Sequence, residues 1–169
     1  MESESRFADL HLLTAKPGIY VSNCDEETLR SKESRAELAR LVAPSAALFL
    51  DAQIEAELTE IEEGDRDELL ASVGQSEPGL NAVIRAAYET LGLQSYLTGG
   101  EKETRAWTIQ SGSTAPEAAG VIHTDFQRGF IAAEVVSFEK LVDAGSWQSA
   151  RMAGLVRTEG KSYVMKPDD

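Results

Sequence analysis

Two side chains in the second half of the chain invite a chemical reading first. His123 and Asp125 stand two residues apart, in a stretch that starts polar and turns apolar after Gly129. In an extended segment, residues i and i+2 share a face. An imidazole and a carboxylate so placed could exchange a proton or share a metal. Such a pair more often fixes a loop by hydrogen bonding, and that reading takes precedence. The chain has only two histidines, His11 and His123, and one cysteine, Cys24. That is too few for a zinc centre. Glu55, Glu57, Glu60, Glu62 and Glu63 form an acidic run, whose ordinary role is a solvated helix face rather than a cation site. The single Gly-Lys-Ser, Gly160-Lys161-Ser162, fails as a phosphate loop. G-x-x-x-x-G-K-[ST] must lie between a strand and a helix. Gly154 is one residue too far upstream, and Tyr163-Val164-Met165 reads as a strand. The sequence therefore yields no catalytic residue and no metal ligand.

The elements that would carry any site follow from periodicity. Phe7, Leu10 and His11 can share a helical face ending near residue 13, before Lys16-Pro17. Gly18 to Val21 reads as a buried strand, with the polar cluster Asn23-Cys24-Asp25-Glu26 at its C-terminal end. Thr28 to Val42 reads as a helix anchored by Leu29, Leu38, Leu41 and Val42. Ala46 to Leu50 is a second buried strand. Asp51 is placed to cap a helix bearing Ile54, Leu58 and Ile61. Gly64 is expected to stop that helix and Asp65 to cap a short one through Val73. Pro78-Gly79 opens the clearest helix, with Leu80, Val83, Ile84, Ala87, Tyr88 and Leu91 on one face and Gly92 ending it. Strand, polar loop, helix, strand, helix is a doubly wound α/β pattern. Such sheets bind ligands at the C-terminal ends of their strands.

The second half reads differently. Gln94 to Thr98 and Arg105 to Ile109 are spaced as a hairpin. Ala115 to Ala119 starts a short helix with Pro116 near its first position. Gly129, flanked by Phe126 and Phe130, marks a chain reversal with φ > 0 or a close backbone approach. Ile131 to Val136 reads as a mostly buried strand. Ser137 is placed to cap a helix over Phe138 to Ala144, Trp147 to Ala153 is helical, and Tyr163 to Met165 begins a last strand. Hairpin, helix, strand, short helices and strand is the order of a β-grasp.

Bulk properties narrow the class. At 169 residues with net charge −13, the chain fits one domain, or one small domain plus part of another. The charge is uneven. Residues 1–92 hold 8 Lys+Arg against 19 Asp+Glu, and residues 93–169 hold 8 against 10. An acidic surface repels phosphate backbones, so any RNA contact belongs to the second half. The lone cysteine fits a reducing compartment, and no apolar run approaches the roughly 20 residues of a membrane span. A cytoplasmic protein with no membrane partner is expected.

Two runs carry a family resemblance. Ala118 to Ala132 falls in the pattern A-A-G-x-I-H-T-D-F-x-x-G-F-I-x-A, whose last position is Ala133. Tyr96 to Ile109, Tyr-Leu-Thr-Gly-Gly-Glu-Lys-Glu-Thr-Arg-Ala-Trp-Thr-Ile, is similar to Y-F-T-A-G-E-K-E-V-R-A-W-T-I. Both resemble the C-terminal part of the YchF / Obg-like ATPase family, P-loop NTPases related to the Obg GTPases, and the likeness extends over nearly the whole chain.

The resemblance implies that residues 1–92 are the C-terminal part of a nucleotide-binding domain and residues 93–169 a TGS β-grasp domain. It implies a cytoplasmic protein, associated with ribosomes and translation, that prefers ATP over GTP and uses Mg²⁺. The guanine-reading Asn-Lys-x-Asp motif has an Asn-x-x-Glu form in the family, matched here by Asn23-Cys24-Asp25-Glu26. Asn23, Cys24, Glu26 and Ala52 become the implied base-binding residues, with Asn23 offering its amide to the adenine N6 and N7 edge. The second base loop, usually Ser-Ala-Lys-like, reads Asp51-Ala52-Gln53. The family's phosphate loop and switch regions have no counterpart in these 169 residues, so the chain alone is expected to bind nucleotide weakly and not to hydrolyse it. Lys102, Arg105, Arg128 and Lys161 are the expected RNA- or ribosome-facing cations. The family pattern also continues with a final strand, G-D-V-M-x-F-x-F-N-V, after the turn Lys166 to Asp169. Without it, open strand edges beside residues 131–136 or 163–165 and edge-strand self-association are expected. The alternative is a stand-alone β-grasp interaction module with a vestigial nucleotide half.

Overall fold

The computed structural model describes residues 12–100, 103–167 and 169. The chain divides into two compact units, Met1–Leu91 and Gly92–Asp169.

The first unit is built on two parallel strands, β1 (Ile19–Asn23) and β2 (Ala46–Leu50), in register from Ile19 opposite Ala46 to Asn23 opposite Leu50. Five helices accompany them: α1 (Glu26–Arg30), α2 (Lys32–Val42), α3 (Ala52–Glu60), α4 (Glu63–Ser72) and α5 (Gly79–Leu91). Leu29, Ile54, Leu58, Leu70 and Val73 form the core, with Cys24 and Phe49 packed against it. Each such buried side chain contributes roughly 1.5–3 kcal/mol.

Several sequence expectations need correction. The single helix over Thr28 to Val42 is two helices. Ser31 ends α1 and caps α2, its hydroxyl accepting from the Ser34 N–H at 3.1 Å. Gly64 does not stop a helix and Asp65 does not cap one; both lie in the first turn of α4. The strands are less buried than their apolar composition implies, with Tyr20 and Val21 about half exposed. Parallel strands are usually covered on both faces, and a two-stranded sheet leaves part of each face open. Leu41, Leu80, Ile84 and Leu91, on the helices, are exposed as well. The expected helix ending near residue 13, with Phe7, Leu10 and His11, lies outside the described residues except at its end, where Leu13–Ala15 forms a 3-10 turn.

The second unit places an antiparallel hairpin, β3 (Leu93–Gly99) and β4 (Thr104–Gln110), against α6 (Ala115–Ile122). Tyr96, Ile109, Ala115, Ala118 and Met165 are buried together, with Trp107, Ile122, Phe130 and Tyr163 around them. The Tyr96 hydroxyl donates to the Ala118 carbonyl at 2.9 Å, which pins α6 to the hairpin. A second pair, β5 (Ala133–Val135) and β6 (Arg157–Glu159), is antiparallel. Between them lie α8 (Phe138–Ala144) and α9 (Trp147–Met152).

Here too the outcome differs in detail. His123 is extended, but Thr124 to Arg128 is not. A short helix, α7 (Thr124–Arg128), follows α6 directly. Gly129 has φ −90°, so no left-handed turn is involved. A Cβ there would meet the Asp125 carbonyl oxygen at 3.3 Å, a tight contact. The expected strand Ile131–Val136 shrinks to three residues, and Ile131 is 83% exposed. Tyr163–Met165 makes only an isolated antiparallel bridge, Val164 to Thr114. β6 was not foreseen. Ser137 sits at the N-cap of α8 without making a side-chain cap bond.

Candidate functional site

Because β1 and β2 are parallel and in register, their C-terminal ends open side by side. The loop after β1 starts at Asn23 and the loop after β2 at Asp51. The side-chain oxygen of Asn23 accepts the Ala52 N–H at 3.0 Å. The Cys24 N–H donates to the Leu50 carbonyl at 2.9 Å, and its thiol approaches the same oxygen at 3.6 Å. Asn23, Cys24 and Ala52 are therefore brought together. Asn23 presents its amide nitrogen with no partner among the described residues, while its oxygen is already engaged.

The acids around this point are mostly committed to helices. Asp25 caps α1, accepting the Thr28 N–H at 3.0 Å, and that bond holds its carboxyl below the ordinary 3.8. Asp51 caps α3, accepting from the N–H groups of Gln53 at 2.8 Å and Ile54 at 3.4 Å. Glu26 turns toward its own helix, accepting from Arg30 at 3.0 Å, and is not drawn into the Asn23–Ala52 contact. Burial, then the neighbouring charges of Asp25 and Asp51, push the Cys24 thiol up. It stays protonated at neutral pH, an apolar contact rather than a nucleophile.

Glu55 is a residue sequence reading missed. It leaves the acidic run to accept the N–H groups of Gly79 at 2.7 Å and Leu80 at 3.2 Å, closing the start of α5. Pro78-Gly79 was the available signal. A Cβ at Gly79 would meet the Leu50 Cβ at 2.8 Å, so only glycine lets α5 begin there. A cavity of about 580 Å³ lies beside this contact, lined by Leu50, Ala52, Glu55, Leu58 and Leu80 among others.

In the second unit His123 caps α7. Its Nδ1 accepts the Asp125 N–H at 3.2 Å, and the Asp125 carboxylate lies 3.5 Å from the same nitrogen. A histidine oriented by aspartate for base catalysis donates from Nδ1 to the carboxylate; here that nitrogen is an acceptor. Both side chains are well exposed. The geometry is that of a loop-fixing cap. Among the described residues no group of three or more His, Cys, Asp or Glu side chains converges as a metal site would require.

The expected surface cations are dispersed in role. Arg105 lies over the Trp107 ring at 4.3 Å and near Glu103 at 3.8 Å. Arg128 ends α7, exposed and without an ion pair among the described residues. Lys161 is exposed in the turn after β6. Lys102 lies outside the described residues.

Parallel strands that open paired polar loops at one end, and a separate hairpin-and-helix unit, make this a mixed α/β protein. The comparisons agree. The family model YchF-GTPase_C, described as a protein of unknown function (DUF933), matches residues 93–169. The "Ribosome-binding ATPase YchF" of Escherichia coli O157:H7 is 42% identical over 170 residues, covering 99% of this chain and 47% of the relative. Its Bacillus subtilis (strain 168) counterpart is 41% identical over 173 residues, with the same coverage. The structure of the Schizosaccharomyces pombe YchF GTPase superposes with a TM-score of 0.81 at 34% identity, covering 98% of this chain and 45% of that one. The chain belongs to the YchF family, and it spans about half the length of the curated relatives it matches.

Proposed function

We propose that the first unit forms the base-side wall of a nucleotide site that favours adenine, and that the second is a TGS β-grasp module through which the protein contacts the ribosome in the cytoplasm. The observation that carries the first part is the Asn23–Ala52 hydrogen bond. It spends the Ala52 N–H, the donor that a guanine O6 would need. It leaves a free Asn23 amide for the N7 acceptor that both purines share. Cys24 supplies the apolar contact. Glu26 reaches the base only by leaving Arg30. The expected two-point pairing of Asn23 with adenine becomes a one-point contact unless Ala52 is released.

ATP, or GTP, with Mg²⁺ belongs to the complete family protein. The described residues offer no cluster for the metal and no loop for the phosphates, and hydrolysis by this chain alone is not expected. The names of the relatives support a ribosomal partner. Arg105, Arg128, Lys161 and Lys102 are the cations proposed to face RNA. Two measurements test the proposal. ATP binding should shift the Ala52 amide and Asn23 side-chain amide resonances; shifts confined to other residues refute the base site. Co-sedimentation with ribosomes should weaken in an Arg105→Glu, Arg128→Glu double variant; unchanged co-sedimentation removes those two from the interface.

A further inference from the structure

We infer that one end of the second unit is a stacking platform for unpaired RNA bases, formed by His123 and Phe126 at α7 and by Arg105 laid over Trp107 of β4. The inference rests on the reading of this unit as the ribosome-contacting module, and it names the part of an RNA that the module takes. Topology brings the two pairs to the same end. β4 runs from Thr104 to Gln110, and α6 returns along the hairpin. Tyr96 pairs with Trp107, and its hydroxyl holds the Ala118 carbonyl in the middle of α6. Ile122, at the end of α6, packs against the same core as Trp107. α7 therefore starts at the Arg105 end of β4.

α7 is packed in reverse of the usual order. A helix held for stability alone turns its aromatic inward and its polar residues out. Here the Gln127 side chain lies against α6, so close that a Cβ on Gly120 would meet it at 2.8 Å. Phe130 rather than Phe126 packs on the core, and Phe126 is left 56% exposed. The His123 and Phe126 rings are 6.1 Å apart and meet edge-on at 61°, so they are not stacked face to face. On β4 the Trp107 Nε1–H donates to the Thr98 hydroxyl at 2.9 Å, which fixes the indole. The Arg105 guanidinium lies 4.3 Å from the ring centroid, and its side chain is exposed. An arginine so held presents a planar cation, and bases stack on guanidinium planes as they do on aromatic rings. None of these residues lines the groove between β3 and β5, so their exposure does not depend on what fills it.

Charge decides between bases and a duplex backbone. Residues 93–169 hold 8 Lys+Arg against 10 Asp+Glu. At the platform Arg105 faces Glu103 at 3.8 Å and His123 faces Asp125 at 3.5 Å, while Arg128 has no ion pair among the described residues. Attraction for phosphates is therefore weak. Affinity has to come from stacking, which tolerates any sequence and needs bases free of a helix.

The probe is a fluorescein-labelled single-stranded octamer of uridine, titrated into the full chain and followed by anisotropy. Uridine keeps the adenine-favouring loops of the first unit out of the reading. Saturable binding is expected. Phe126→Ala should weaken it about tenfold, and Phe126→Trp should retain it. Arg105→Lys keeps the charge, loses the plane, and should weaken binding several-fold. Melting temperatures check that the variants fold. No binding of the octamer, equal binding of an RNA duplex of the same length, or affinity indifferent to Phe126 would overturn the platform, and ribosome co-sedimentation of the parent chain would still support the wider reading. Octamer binding that depends on Phe126, in a chain that does not co-sediment with ribosomes, keeps the platform and removes the ribosomal reading. Co-sedimentation lost in Phe126→Ala while the octamer fails to bind would mark the surface as a protein contact, and that also overturns the proposal.

Discussion

The side-chain oxygen of Asn23 accepts the backbone N–H of Ala52 at 3.0 Å, and the two residues are 29 apart in sequence. This bond joins the loops at the ends of β1 and β2. Asn23→Ala removes the acceptor and should destabilise the first unit by about 0.5–1.5 kcal/mol. Asn23→Asp keeps the acceptor and should cost less. Urea denaturation of both variants checks this; equal losses would mean that the bond does not brace the loops.

Leu29 is 1% exposed at the centre of the first core. Leu29→Ala should cost about 2–5 kcal/mol, whereas Leu41→Ala, at a position 77% exposed, should cost little. The sequence pattern marked both as helix anchors of equal standing. Periodicity finds the apolar stripe of a helix but does not say what covers it. In this unit Leu29 has the side chains of α3 and α4 over it, while Leu41 has open surface.

The same limit explains the second unit. The hairpin was legible because alternation over Gln94–Thr98 and Arg105–Ile109 is a local property. α7 was not, because its N-cap is a histidine, outside the usual Ser, Thr, Asp and Asn set. β6, Arg157-Thr158-Glu159, carries no apolar residue at all and is a strand only because β5 lies beside it. In the first unit the polar ends of β1 and β2 were visible as loops. Their joining by Asn23 and Ala52 is a consequence of parallel register, which no local pattern states.

Acid and alkaline limbs of stability should trace to different groups. The Thr114 N–H and hydroxyl donate to the Glu117 carboxylate at 2.7 and 2.8 Å, and these bonds hold its carboxyl below the ordinary 4.5. A depressed folded value gives stability that is present above 4.5 and lost as pH falls through the folded value. Burial pushes Tyr96 up to about 12. Burial, then the bond to Asp169 and its charge, push Tyr163 up to about 12. A raised folded value gives stability present below the ordinary 10 and lost as pH rises toward 12. Glu117→Gln should flatten the acid limb, and Tyr163→Phe the alkaline one, in melting curves taken across pH. Unchanged limbs in both variants would contradict the assignments.

The Asp169 side chain is only 2% exposed and faces Arg157 at 3.1 Å. Arg157→Ala leaves that carboxylate with the Tyr163 hydroxyl and the Lys166 N–H alone. The second unit should lose about 1–3 kcal/mol, and Arg157→Lys should recover part of it. A variant as stable as the parent would show that the other two donors suffice.

The base site is tested most directly by calorimetric titration of the whole chain with ATP and with GTP, in Mg²⁺, at equal concentrations. Weak but measurable ATP binding, tighter than GTP and reduced further in Asn23→Ala, is the expected result. GTP bound as tightly as ATP or tighter would contradict the reading of the Asn23–Ala52 bond as an adenine-favouring wall, and so would ATP affinity indifferent to Asn23.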